Sequence, residues 1–477
     1  MRLGALIGGD DERRVTGFAI DHRKVAPGTV FGAFRGETAN GEDYIEAAVA
    51  AGAIAIIARA EVGTSVSGAA FVAADEPRRD FARLASRFFA PFPRVVAAIT
   101  GTNGKTSSVE LTRQLWRMAG HHAASIGTLG VTTADGRVVT GLTTPDIVTF
   151  LGNMAGLERE GVSHAAFEAS SHGLTQYRTE GVPLAAAGFT NFSRDHLDYH
   201  GTMQAYFEAK MRLFDEMLDP PGTGILWMDD PRSADVLARC RARSLAVLEV
   251  GTKGADLRLT AQEANRFGQT IHVNALGALH RIELPLIGAW QAANALVAAG
   301  IVIATGGDAT ATLANLARVQ PVRGRLERAV INRAGAPLYV DYAHTPDAIA
   351  AAAEALRAHT RNRLILVLGA GGDRDAGKRP EMGNIAARMA DLVIVTDDNP
   401  RGEDPARIRA DILAGAPDAR EIEGRRDAIA AANEEAGEGD VVLIAGKGHE
   451  QGQVVGAGDE MRVLPFDDVA VARECAS

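Results

Sequence analysis

The sequence predicts an α/β protein, and two observations carry that prediction. In the C-terminal third, short apolar runs are separated by polar loops and, after the first three, by Ala-rich helical patterns; the runs lie at 338–340, 364–368, 392–396 and 441–445. This alternation is typical of parallel strands joined by crossover helices in a doubly wound sheet. In the middle of the chain, the apolar run 94–100 leads into a glycine-rich loop and a helical pattern at 108–119. A strand, a glycine loop and a helix in this order are typical of parallel sheets that bind phosphate groups.

The length indicates about three domains, since one domain takes about 100–200 residues. The dense Pro91-Phe92-Pro93 cannot continue a helix and is interpreted as a linker, and a third segment opens near Pro321. The predicted domains are therefore 1–92, 93–320 and 321–477. We expect a P-loop ATPase-like parallel sheet in the central domain and a Rossmann-like doubly wound sheet in the last.

Composition and charge are those of a folded protein without a basic surface. Hydrophobic residues make up 46% of the chain and charged residues 23%, which argues against an intrinsically disordered chain. The 50 Lys and Arg residues are outnumbered by 60 Asp and Glu residues, so no nucleic-acid partner and no anionic membrane surface is expected. Cys240 and Cys475 are too few for a disulfide scaffold, which favours a reducing cytoplasm.

No segment of the sequence predicts a signal peptide or a membrane span. The N-terminal apolar stretch is too short for a signal-peptide core, and the longest apolar run, 47–58, is below the roughly 20 residues of a spanning helix. The stretch 286–305 is long enough, but it contains Gln291 and Asn294, so we interpret it as a buried core helix. We expect a cytoplasmic protein that is a monomer.

The sharpest local signal is the loop Gly101-Thr102-Asn103-Gly104-Lys105-Thr106-Ser107. Its glycines allow backbone N–H groups to converge on phosphate oxygens. In this pattern the lysine reaches the β- and γ-phosphates, and the threonine hydroxyl holds Mg²⁺. Only two residues stand between the glycines instead of the four of the common P-loop, so a glycine turn with an incidental Lys-Thr pair is the alternative. The flanking strand and helix favour phosphate binding.

Candidate metal ligands follow the next apolar runs. Glu168 stands at the end of a predicted strand, and His196 and His200 are four residues apart. The zinc pattern His-Glu-x-x-His is absent because Leu197 occupies the glutamate position, whereas Mg²⁺ prefers one or two carboxylates, phosphate oxygens and water. A single histidine such as His196 is more often a structural hydrogen-bonding group than a ligand. Lys210, within a helical pattern, would by itself be interpreted as a solvated surface lysine.

Four loops of the C-terminal third are predicted to share one edge of the sheet, because ligands of doubly wound sheets bind at the carboxyl ends of the strands. The loops lie at 341–346, 370–380, 397–405 and 446–451. They carry arginines in rigid Gly- and Pro-rich segments, which suit bidentate binding of carboxylates, beside Asp and Glu residues, which suit ammonium groups. The sequence therefore predicts a pocket for a zwitterion. Ion pairs that cap helices are the alternative for any single loop.

These motifs, in this order, resemble those of the Mur ligase family, the ATP-dependent ligases that add amino acids to peptidoglycan precursors. The loop 101–107 resembles the phosphate loop of the family, and Asp398-Asn399-Pro400-Arg401 resembles the motif of its diaminopimelate-adding branch. The resemblance covers essentially the whole chain, from Asp21-His22-Arg23 to 446–450. It implies that 1–92 binds a uridine nucleotide, 93–320 binds ATP and 321–477 binds the incoming amino acid.

The resemblance also implies a role for individual residues. ATP would contact Gly101, Thr102, Asn103, Gly104, Lys105, Thr106, Ser107, Asn294, Arg325, Asp341 and His344. The nucleotide-sugar dipeptide would contact Ile20, His22, Glu37, Thr38, Ala39, Thr143, Thr144, Ser170, Gln176 and Arg178. Diaminopimelate would contact Arg374, Asp398, Asn399, Pro400, Arg401, Gly446 and Glu450. The catalytic residues would be Lys105, Glu168, His196 and Lys210, and Mg²⁺ would be held by Thr106, Glu168, His196 and Lys210 as a carbamate formed with CO₂.

Three positions depart from the usual motifs of the family. His22 replaces a serine, Trp290-Gln291 stands where Phe-Asn is usual, and Trp227 stands where an asparagine is usual. None of them lies in the phosphate loop or in the predicted amino-acid site.

The activity implied by the resemblance is addition of meso-diaminopimelate to a D-glutamate γ-carboxylate through an acyl phosphate, with release of ADP and phosphate. A lysine-adding or folylpolyglutamate-type ligase is the alternative within the class; Arg401 favours diaminopimelate, which has a second carboxylate. A P-loop ATPase or small-molecule kinase is the alternative from another class, and the arginines of the C-terminal loops together with Lys210 argue against it. An inactive nucleotide-binding module is disfavoured because Lys105, Thr106 and Glu168 are intact.

Overall fold

The computed structural model describes residues 1–36, 39–62, 68–134, 136–138, 143–265, 268–275 and 277–477. Within it the chain divides into two compact units. The first unit comprises Met1–Arg258 and Leu296–Thr312, and the second comprises Leu259–Ala295 and Leu313–Ser477.

The first unit begins with a small parallel sheet. Its elements are α1 (Leu3–Ile7), β1 (Gly17–Ala19), β2 (Thr29–Gly32), α2 (Ile45–Ala50), β3 (Ala53–Ala58), β4 (Ala70–Ala73) and α3 (Pro77–Phe89). The strands pair in the order β1-β2-β3-β4, all parallel. Helix α3 starts with a proline, whose missing N–H has no intrahelical partner in the first turn, and buries Phe81, Ala82 and Ala85 in the core.

A larger sheet follows in the first unit. Its elements are β5 (Val95–Thr100), α4 (Lys105–Met118), β6 (Ala123–Gly127), β7 (Gly130–Thr132), β8 (Arg137–Val138), α5 (Ile147–Arg159), β9 (His164–Glu168), α6 (Ser171–Thr175), β10 (Ala186–Phe189), α7 (Leu197–His200), α8 (Met203–Arg212), β11 (Thr223–Trp227), α9 (Ser233–Ala242), β12 (Ala246–Gly251) and β13 (Leu257–Asn265), which continues into the second unit. Strands β12, β11, β10, β5, β9 and β6 are parallel neighbours in that order, and β7 and β8 follow antiparallel. The nearly continuous burial of β5, β9 and β10 is what a parallel sheet covered on both faces requires.

The second unit contains the predicted doubly wound sheet. The remaining elements of the chain are β14 (Gly268–Ala275), β15 (Ala278–Leu284), α10 (Trp290–Ala304), α11 (Ala309–Asn315), β16 (Glu327–Ile331), β17 (Pro337–Asp341), α12 (Pro346–Arg357), β18 (Leu364–Leu368), α13 (Lys378–Met389), β19 (Leu392–Val395), α14 (Pro405–Leu413), β20 (Arg420–Glu421), α15 (Arg425–Glu435), β21 (Val441–Ala445), β22 (Gly452–Val455), β23 (Arg462–Pro465) and α16 (Asp468–Ala476). The sheet has the order β16-β17-β21-β18-β19-β20, and all its pairs are parallel except β16 with β17.

Helices cover both faces of this sheet. Leu364, Leu366 and Leu368 pack into a core cluster with residues of α12, α13 and α14, whereas Ile365 and Val367 pack into another with residues of α15 and α16. Alternate residues of β18 are therefore buried on opposite faces, which explains why the strand is a continuous apolar run. The predicted α/β class and the predicted strands are confirmed, with bounds that differ by one residue at most.

Helix boundaries differ more from the sequence prediction. The helix expected from 108 already begins at Lys105, because Gly104, with φ +84°, forms its N-cap. The stretch 286–305 is helical only over Trp290–Ala304, and its central part is buried as expected. The helical pattern around Lys210 covers 206–214 in the sequence, whereas helix α8 already starts at Met203, because the Thr202 hydroxyl caps it, and a π-helical turn follows from Leu213 to Met217.

Among the residues that the structure describes, no helix is both long and apolar enough to cross a membrane.

Candidate active site

The predicted phosphate loop lies at the carboxyl edge of the larger sheet of the first unit. Strand β5 ends at Thr100 and α4 begins at Lys105, so residues 101–104 join a strand to a helix N-terminus, as predicted. Strands β9 and β10 flank β5 and end level with it at Glu168 and Phe189. The loops after these three parallel strands therefore emerge side by side, at the edge where such sheets bind ligands.

The segment after β10 holds the phosphate loop in shape. The Thr102 N–H donates to the Asn191 carbonyl oxygen (2.9 Å), and the Asn103 N–H donates to the Asn191 side-chain oxygen (2.8 Å). The Thr190 hydroxyl donates to the Asn103 carbonyl oxygen (2.6 Å), and the Ser193 N–H donates to the Thr102 hydroxyl (3.0 Å). These bonds order the loop in advance, so the binding of a phosphate here, as predicted, would have a smaller ordering cost.

Two lysines converge on one carbonyl oxygen of this loop. Lys105 Nζ donates to the carbonyl oxygens of Gly101 (2.9 Å) and Thr102 (2.8 Å), and Lys210 Nζ donates to that of Gly101 (2.7 Å). Lys210 is only 1% exposed, so it is not a solvated surface lysine. Burial, and secondly the nearby Lys105 ammonium, hold the pKa of Lys210 well below its usual value. A lowered pKa increases the fraction of uncharged amine, which is the nucleophilic form.

Glu168 is buried at the end of β9, and both of its carboxylate oxygens have partners. Oε1 accepts the Thr128 N–H (2.7 Å), and Oε2 accepts the Thr128 hydroxyl (3.2 Å). A Cβ on Gly127 would lie 2.2 Å from Oε1, so this glycine leaves the space that the carboxylate occupies. The carboxylate is therefore fixed at the same sheet edge as the phosphate loop.

Five residues predicted to contact the dipeptide form a connected polar network beside Glu168; they are Thr143, Thr144, Ser170, Gln176 and Arg178. The Thr144 hydroxyl donates to the Glu168 carbonyl oxygen (2.9 Å) and lies 2.9 Å from the Ser170 hydroxyl. Arg178 donates to the Thr144 carbonyl oxygen (3.0 Å) and to the Gln176 side-chain oxygen (2.6 Å). The Thr143 hydroxyl joins the network through the Thr128 hydroxyl (3.0 Å). The structure thus brings together residues that the sequence separates.

Tyr206 links His196 to Lys210 and the phosphate loop. Its ring packs edge-on against the His196 ring, with centroids 5.9 Å apart, and lies 4.4 Å from Lys210 Nζ. Its hydroxyl donates to the Thr102 hydroxyl oxygen (3.3 Å). His196 itself has a left-handed backbone conformation (φ +51°), and its Nε2 lies 3.4 Å from the Asp195 carboxylate. His196 and Lys210, predicted to act together, therefore share one aromatic neighbour.

The donors at this edge fit Mg²⁺ bound together with phosphate. Within the described part of the chain, no group of three or more His, Cys, Asp or Glu side chains is arranged to hold a metal ion by itself. Mg²⁺ does not need such a group, since it keeps water and phosphate oxygens and takes one or two carboxylates from the protein. The Glu168 carboxylate and the Thr106 hydroxyl, both buried, are hard oxygen donors of the required type.

The residues predicted to contact uridine lie after β1 and β2 of the small sheet. His22 stacks on Tyr44, with ring centroids 4.3 Å apart and ring planes at 3°. Asp21 is engaged locally, because it accepts the Arg23 N–H (3.0 Å) and pairs with the Arg23 guanidinium (2.8 Å), which lowers its pKa to about 2. Of the other predicted residues, the structure describes Ile20 and Ala39, whereas Glu37 and Thr38 lie outside the described residues.

The second unit carries the other four residues predicted to contact ATP, namely Asn294, Arg325, Asp341 and His344. The Arg325 guanidinium lies over the Tyr342 ring (4.8 Å), and His344 Nδ1 lies 2.8 Å from the Tyr342 carbonyl oxygen. Asp341, at the end of β17, accepts two backbone N–H groups at 2.7 and 2.8 Å. Asn294 is bonded within α10, where it donates to a side-chain oxygen of the preceding turn (3.0 Å). Tyr342 thus joins two of the four predicted residues.

The predicted amino-acid site lies at the carboxyl edge of the sheet of the second unit. Strands β17, β21, β18 and β19 are parallel neighbours, so the prediction that their following loops share one edge is confirmed. Arg401 has φ +51°, its N–H donates to the Val454 carbonyl oxygen (3.0 Å), and its guanidinium donates to the Gly372 carbonyl oxygen (2.8 Å). A Cβ on Gly371 would lie 2.7 Å from Arg401 Nη1 and 3.8 Å from Arg374 Cγ. The two arginines predicted to bind carboxylates therefore adjoin the same glycine.

Arg379, in the first turn of α13, forms ion pairs within the protein, as the alternative interpretation of these segments predicts. It is 1% exposed and pairs with Glu403 (2.9 Å) and Asp411 (3.0 Å). It also donates to the Gly371 carbonyl oxygen (3.2 Å). Its charge is therefore used to hold the loop after β18 against α14.

Lys447 is completely buried among the predicted amino-acid contacts. Its Nζ donates to the side-chain oxygen of Asn399 (2.8 Å) and to the carboxylates of Glu450 (3.1 Å) and Asp398 (3.4 Å). The Asn399 amide also donates to Glu450 (2.8 Å). A Cβ on Gly446, where φ is +117°, would lie 2.7 Å from Asp398 Oδ2. The loops after β19 and β21 thus form one hydrogen-bonded cluster.

Sequence reasoning assigns no role to Thr128, Asn191, Tyr206 or Lys447. Lys447 stands inside the loop 446–451 that the sequence singles out, and Asn191 precedes the candidate ligand His196 by five residues, so nearness to these predicted site residues is the available signal. Thr128 reaches Glu168 only because β6 pairs with β9, and Tyr206 reaches the phosphate loop only through the return of α8. No local pattern reveals either contact.

Three family models match successive parts of this chain. They are "Mur ligase family, catalytic domain" at 14–96, "Mur ligase middle domain" at 99–302 and "Mur ligase, glutamate ligase domain" at 324–448. The chain belongs to the Mur ligase family.

Individual relatives match over almost the whole length. A protein of Zymomonas mobilis named "UDP-N-acetylmuramoyl-L-alanyl-D-glutamate--2,6-diaminopimelate ligase" is 60% identical over 460 residues, which span 96% of this chain and 94% of that protein. A protein of Bradyrhizobium diazoefficiens with the same name is 50% identical and covers 100% of this chain and 99% of its own length. A solved structure of an enzyme of that name superposes with a TM-score of 0.74 at 32% identity, covering 100% of this chain and 98% of that one.

Proposed function

We propose that this chain is an ATP-dependent ligase that joins meso-2,6-diaminopimelate to the D-glutamate γ-carboxylate of UDP-N-acetylmuramoyl-L-alanyl-D-glutamate, a step of peptidoglycan precursor synthesis. The 60% identity to a protein of that name, over 96% of this chain, carries the proposal. The phosphate loop, the polar network beside Glu168 and the pair Arg374 and Arg401 support it, because they provide for a nucleotide, a peptide acceptor and a carboxylate-bearing amino acid.

The proposal includes three functional domains. Residues 1–92 bind the uridine nucleotide, 93–320 bind ATP and 321–477 bind the amino acid. The gaps between the matched family models, 96–99 and 302–324, lie close to these boundaries and support them.

Activation of the acceptor determines the order of the chemistry. A carboxylate does not acylate an amine in water, because its oxygen is a poor leaving group. The γ-carboxylate attacks the γ-phosphorus of ATP, ADP leaves, and Lys105 stabilises the charge that develops on the phosphoryl oxygens. The uncharged amine of the amino acid then attacks the acyl carbon, the C–N bond forms, and phosphate leaves. Glu168 and Thr106 would hold Mg²⁺, which supplies further neutralisation of phosphate charge when bound.

We infer that Lys210 acts as a carbamate. Its uncharged amine adds to CO₂ and loses a proton, which converts a buried neutral amine into an anion with two oxygens. Such oxygens, with His196, are ligands of the type that a second Mg²⁺ accepts. The burial of Lys210, its lowered pKa and the adjacent Lys105 ammonium support this inference, because the lowered pKa favours the reactive uncharged amine and the Lys105 ammonium attracts the anion that forms.

The proposed activity is tested by phosphate release from ATP and Mg²⁺ with the nucleotide-sugar dipeptide alone, with meso-diaminopimelate alone, and with both. We expect sustained release only with both, and a product heavier by one diaminopimelate residue. Lysine and glutamate in place of diaminopimelate test the alternative ligases. ATP hydrolysis that is equally fast without either substrate would overturn the proposal in favour of an ATPase, and phosphate transfer without amide formation would favour a kinase.

A further inference from the structure

We propose that Arg212 is a positioning residue that holds the turn 174–178 in the conformation that binds the acceptor dipeptide. The inference rests on the proposed function, because Gln176 and Arg178 of this turn are proposed contacts of the dipeptide. It goes beyond that function because Arg212, the last residue of α8, has no predicted contact with any substrate.

The turn contains one residue in a strained backbone conformation. Tyr177 has φ +56°, in the left-handed region, which side chains other than glycine disfavour by about 5- to 30-fold. It stands between Gln176 and Arg178, and the Arg178 guanidinium donates to the Gln176 side-chain oxygen across it (2.6 Å). A residue keeps such a conformation only when its surroundings hold it there, so the contacts of Tyr177 determine the shape of the turn.

Arg212 makes two of the contacts that hold this turn. Its guanidinium lies over the Tyr177 ring, 3.9 Å from the ring centroid, and its Nη1 donates to the Leu174 carbonyl oxygen. The same carbonyl oxygen accepts the Tyr177 N–H (3.1 Å). Only 15% of the Arg212 side chain is exposed, which strengthens the attraction between the guanidinium and the ring. Arg212 therefore fixes both the ring of Tyr177 and the carbonyl group to which its backbone is bonded.

The carboxylates around Arg212 have other partners. The Arg212 guanidinium pairs with Glu216 (3.0 Å) and Glu180 (3.4 Å). Arg79 pairs with the same two carboxylates (2.9 and 3.4 Å), and Arg83 lies 3.6 Å from Glu180. Without Arg212, two arginines would still face these two carboxylates, so its removal leaves no unpaired negative charge. The specific loss is the hold on the turn.

Loss of this hold should weaken binding of the acceptor by a definite factor. When only a fraction of the molecules keeps the binding conformation, the apparent Kd rises by the inverse of that fraction. The disfavoured conformation of Tyr177 therefore predicts an increase of about 5- to 30-fold. An arginine that only stabilises the fold gives a different result, because fewer molecules bind but the folded ones keep their Kd.

The experiment measures Kd and stoichiometry by titration calorimetry for two ligands, the nucleotide-sugar dipeptide and ADP with Mg²⁺. In Arg212→Met we expect the Kd of the nucleotide-sugar dipeptide to rise about 5- to 30-fold and the Kd of ADP to stay within about twofold. Arg239→Met is the matched control, because Arg239 also pairs with two carboxylates (2.7 and 2.6 Å) and lies 5.7 Å from the ring centroid of Phe207. Its partners Glu208 and Asp215 lie on α8 and the π-helical turn after it, so this variant should keep both Kd values.

A second substitution separates positioning from stability. Glycine adopts the left-handed conformation without a steric cost, so Tyr177→Gly should remove the need for Arg212. We expect the double variant Arg212→Met, Tyr177→Gly to bind the nucleotide-sugar dipeptide within about threefold of the unaltered protein. A merely structural arginine predicts no such recovery, since the glycine removes a further side chain from the protein.

An increase of less than about fivefold in the Kd of the nucleotide-sugar dipeptide in Arg212→Met overturns the inference, and so does a double variant that binds no more tightly than Arg212→Met. If Arg212→Met gives no folded protein by circular dichroism, Arg212→Gln, which keeps an N–H donor without the charge, is judged by the same Kd. If neither variant folds, the role is structural and the positioning role is rejected. An unaltered protein that binds ADP but not the nucleotide-sugar dipeptide would instead refute the proposed function, so the two failures are distinguishable.

Discussion

Gly101 makes a quantitative prediction about the phosphate loop. A Cβ at this position would lie 1.9 Å from Thr190 Oγ1 and 3.1 Å from the backbone nitrogen and oxygen of Asn191, and φ is +149°. Real Cβ contacts below 3.0 Å essentially do not occur, so Gly101→Ala must displace the loop or Thr190. The displacement is about 1 Å, which in a positioned reaction costs roughly 100-fold in rate, and the strained backbone adds about 1–3 kcal/mol of instability.

The assay is phosphate release with saturating acceptor and amino acid, from which kcat and KM for ATP are obtained. We expect kcat/KM for ATP to fall about 100-fold in Gly101→Ala. Adding Thr190→Ala, which removes the nearest clashing atom, should recover part of that loss. The control is Gly156→Ala in α5, where a Cβ meets nothing within 4 Å; it should keep the kinetics and raise the free energy of unfolding by about 0.5–1 kcal/mol. Unchanged kcat/KM for ATP in Gly101→Ala would refute the assignment of the loop to ATP phosphates.

Three further predictions concern Arg401, Lys210 and His164. Arg401→Ala should raise KM for diaminopimelate about 10- to 100-fold with little change in KM for ATP, and Arg401→Lys should recover little, since an ammonium cannot present a planar fork; equal increases in both KM values would contradict the role. Lys210→Arg should abolish turnover because a guanidinium forms no carbamate, and a kcat equal to that of the unaltered enzyme would refute the carbamate. Burial, and secondly the stacked His121, lower the pKa of His164 from 6.5 to about 4, so the unfolded state binds the proton more tightly. The free energy of unfolding should therefore fall as pH decreases through this window, by about 3 kcal/mol, and urea unfolding of His164→Asn should show a smaller fall; an equal fall in both proteins would contradict this cause.

The strands and the phosphate loop could be predicted from sequence because their signals are local. A strand buried on both faces must be a continuous apolar run, as 364–368 is. A strand followed by Gly-x-x-Gly-Lys-Thr indicates a tight glycine loop that leads into a helix N-terminus, as between β5 and α4. The shared edge of the C-terminal loops could also be predicted from the sequence, because the carboxyl ends of neighbouring parallel strands lie at one edge of the sheet.

The environment of individual side chains could not be predicted in this way. The helical pattern around Lys210 is the same whether α8 faces solvent or the phosphate loop, so its burial appears only once Gly101 is placed against it. In the sequence Arg379 and Arg401 both stand beside Gly and Pro residues, yet Arg379, in the first turn of α13, is enclosed by two carboxylates, whereas Arg401 lies at the edge of the sheet. The burial and the partners of such side chains depend on contacts between segments that are distant in the sequence, and no short motif indicates those contacts.

The central proposal, a ligase that works through an acyl phosphate, is tested most directly by oxygen transfer. The acceptor dipeptide is prepared with ¹⁸O in both oxygens of its D-glutamate γ-carboxylate and incubated with ATP, Mg²⁺ and meso-diaminopimelate. Attack of the carboxylate on the γ-phosphorus moves one labelled oxygen to phosphorus, so each phosphate released should carry one ¹⁸O atom and each amide formed should keep the other. Unlabelled phosphate accompanying amide formation would contradict the acyl phosphate.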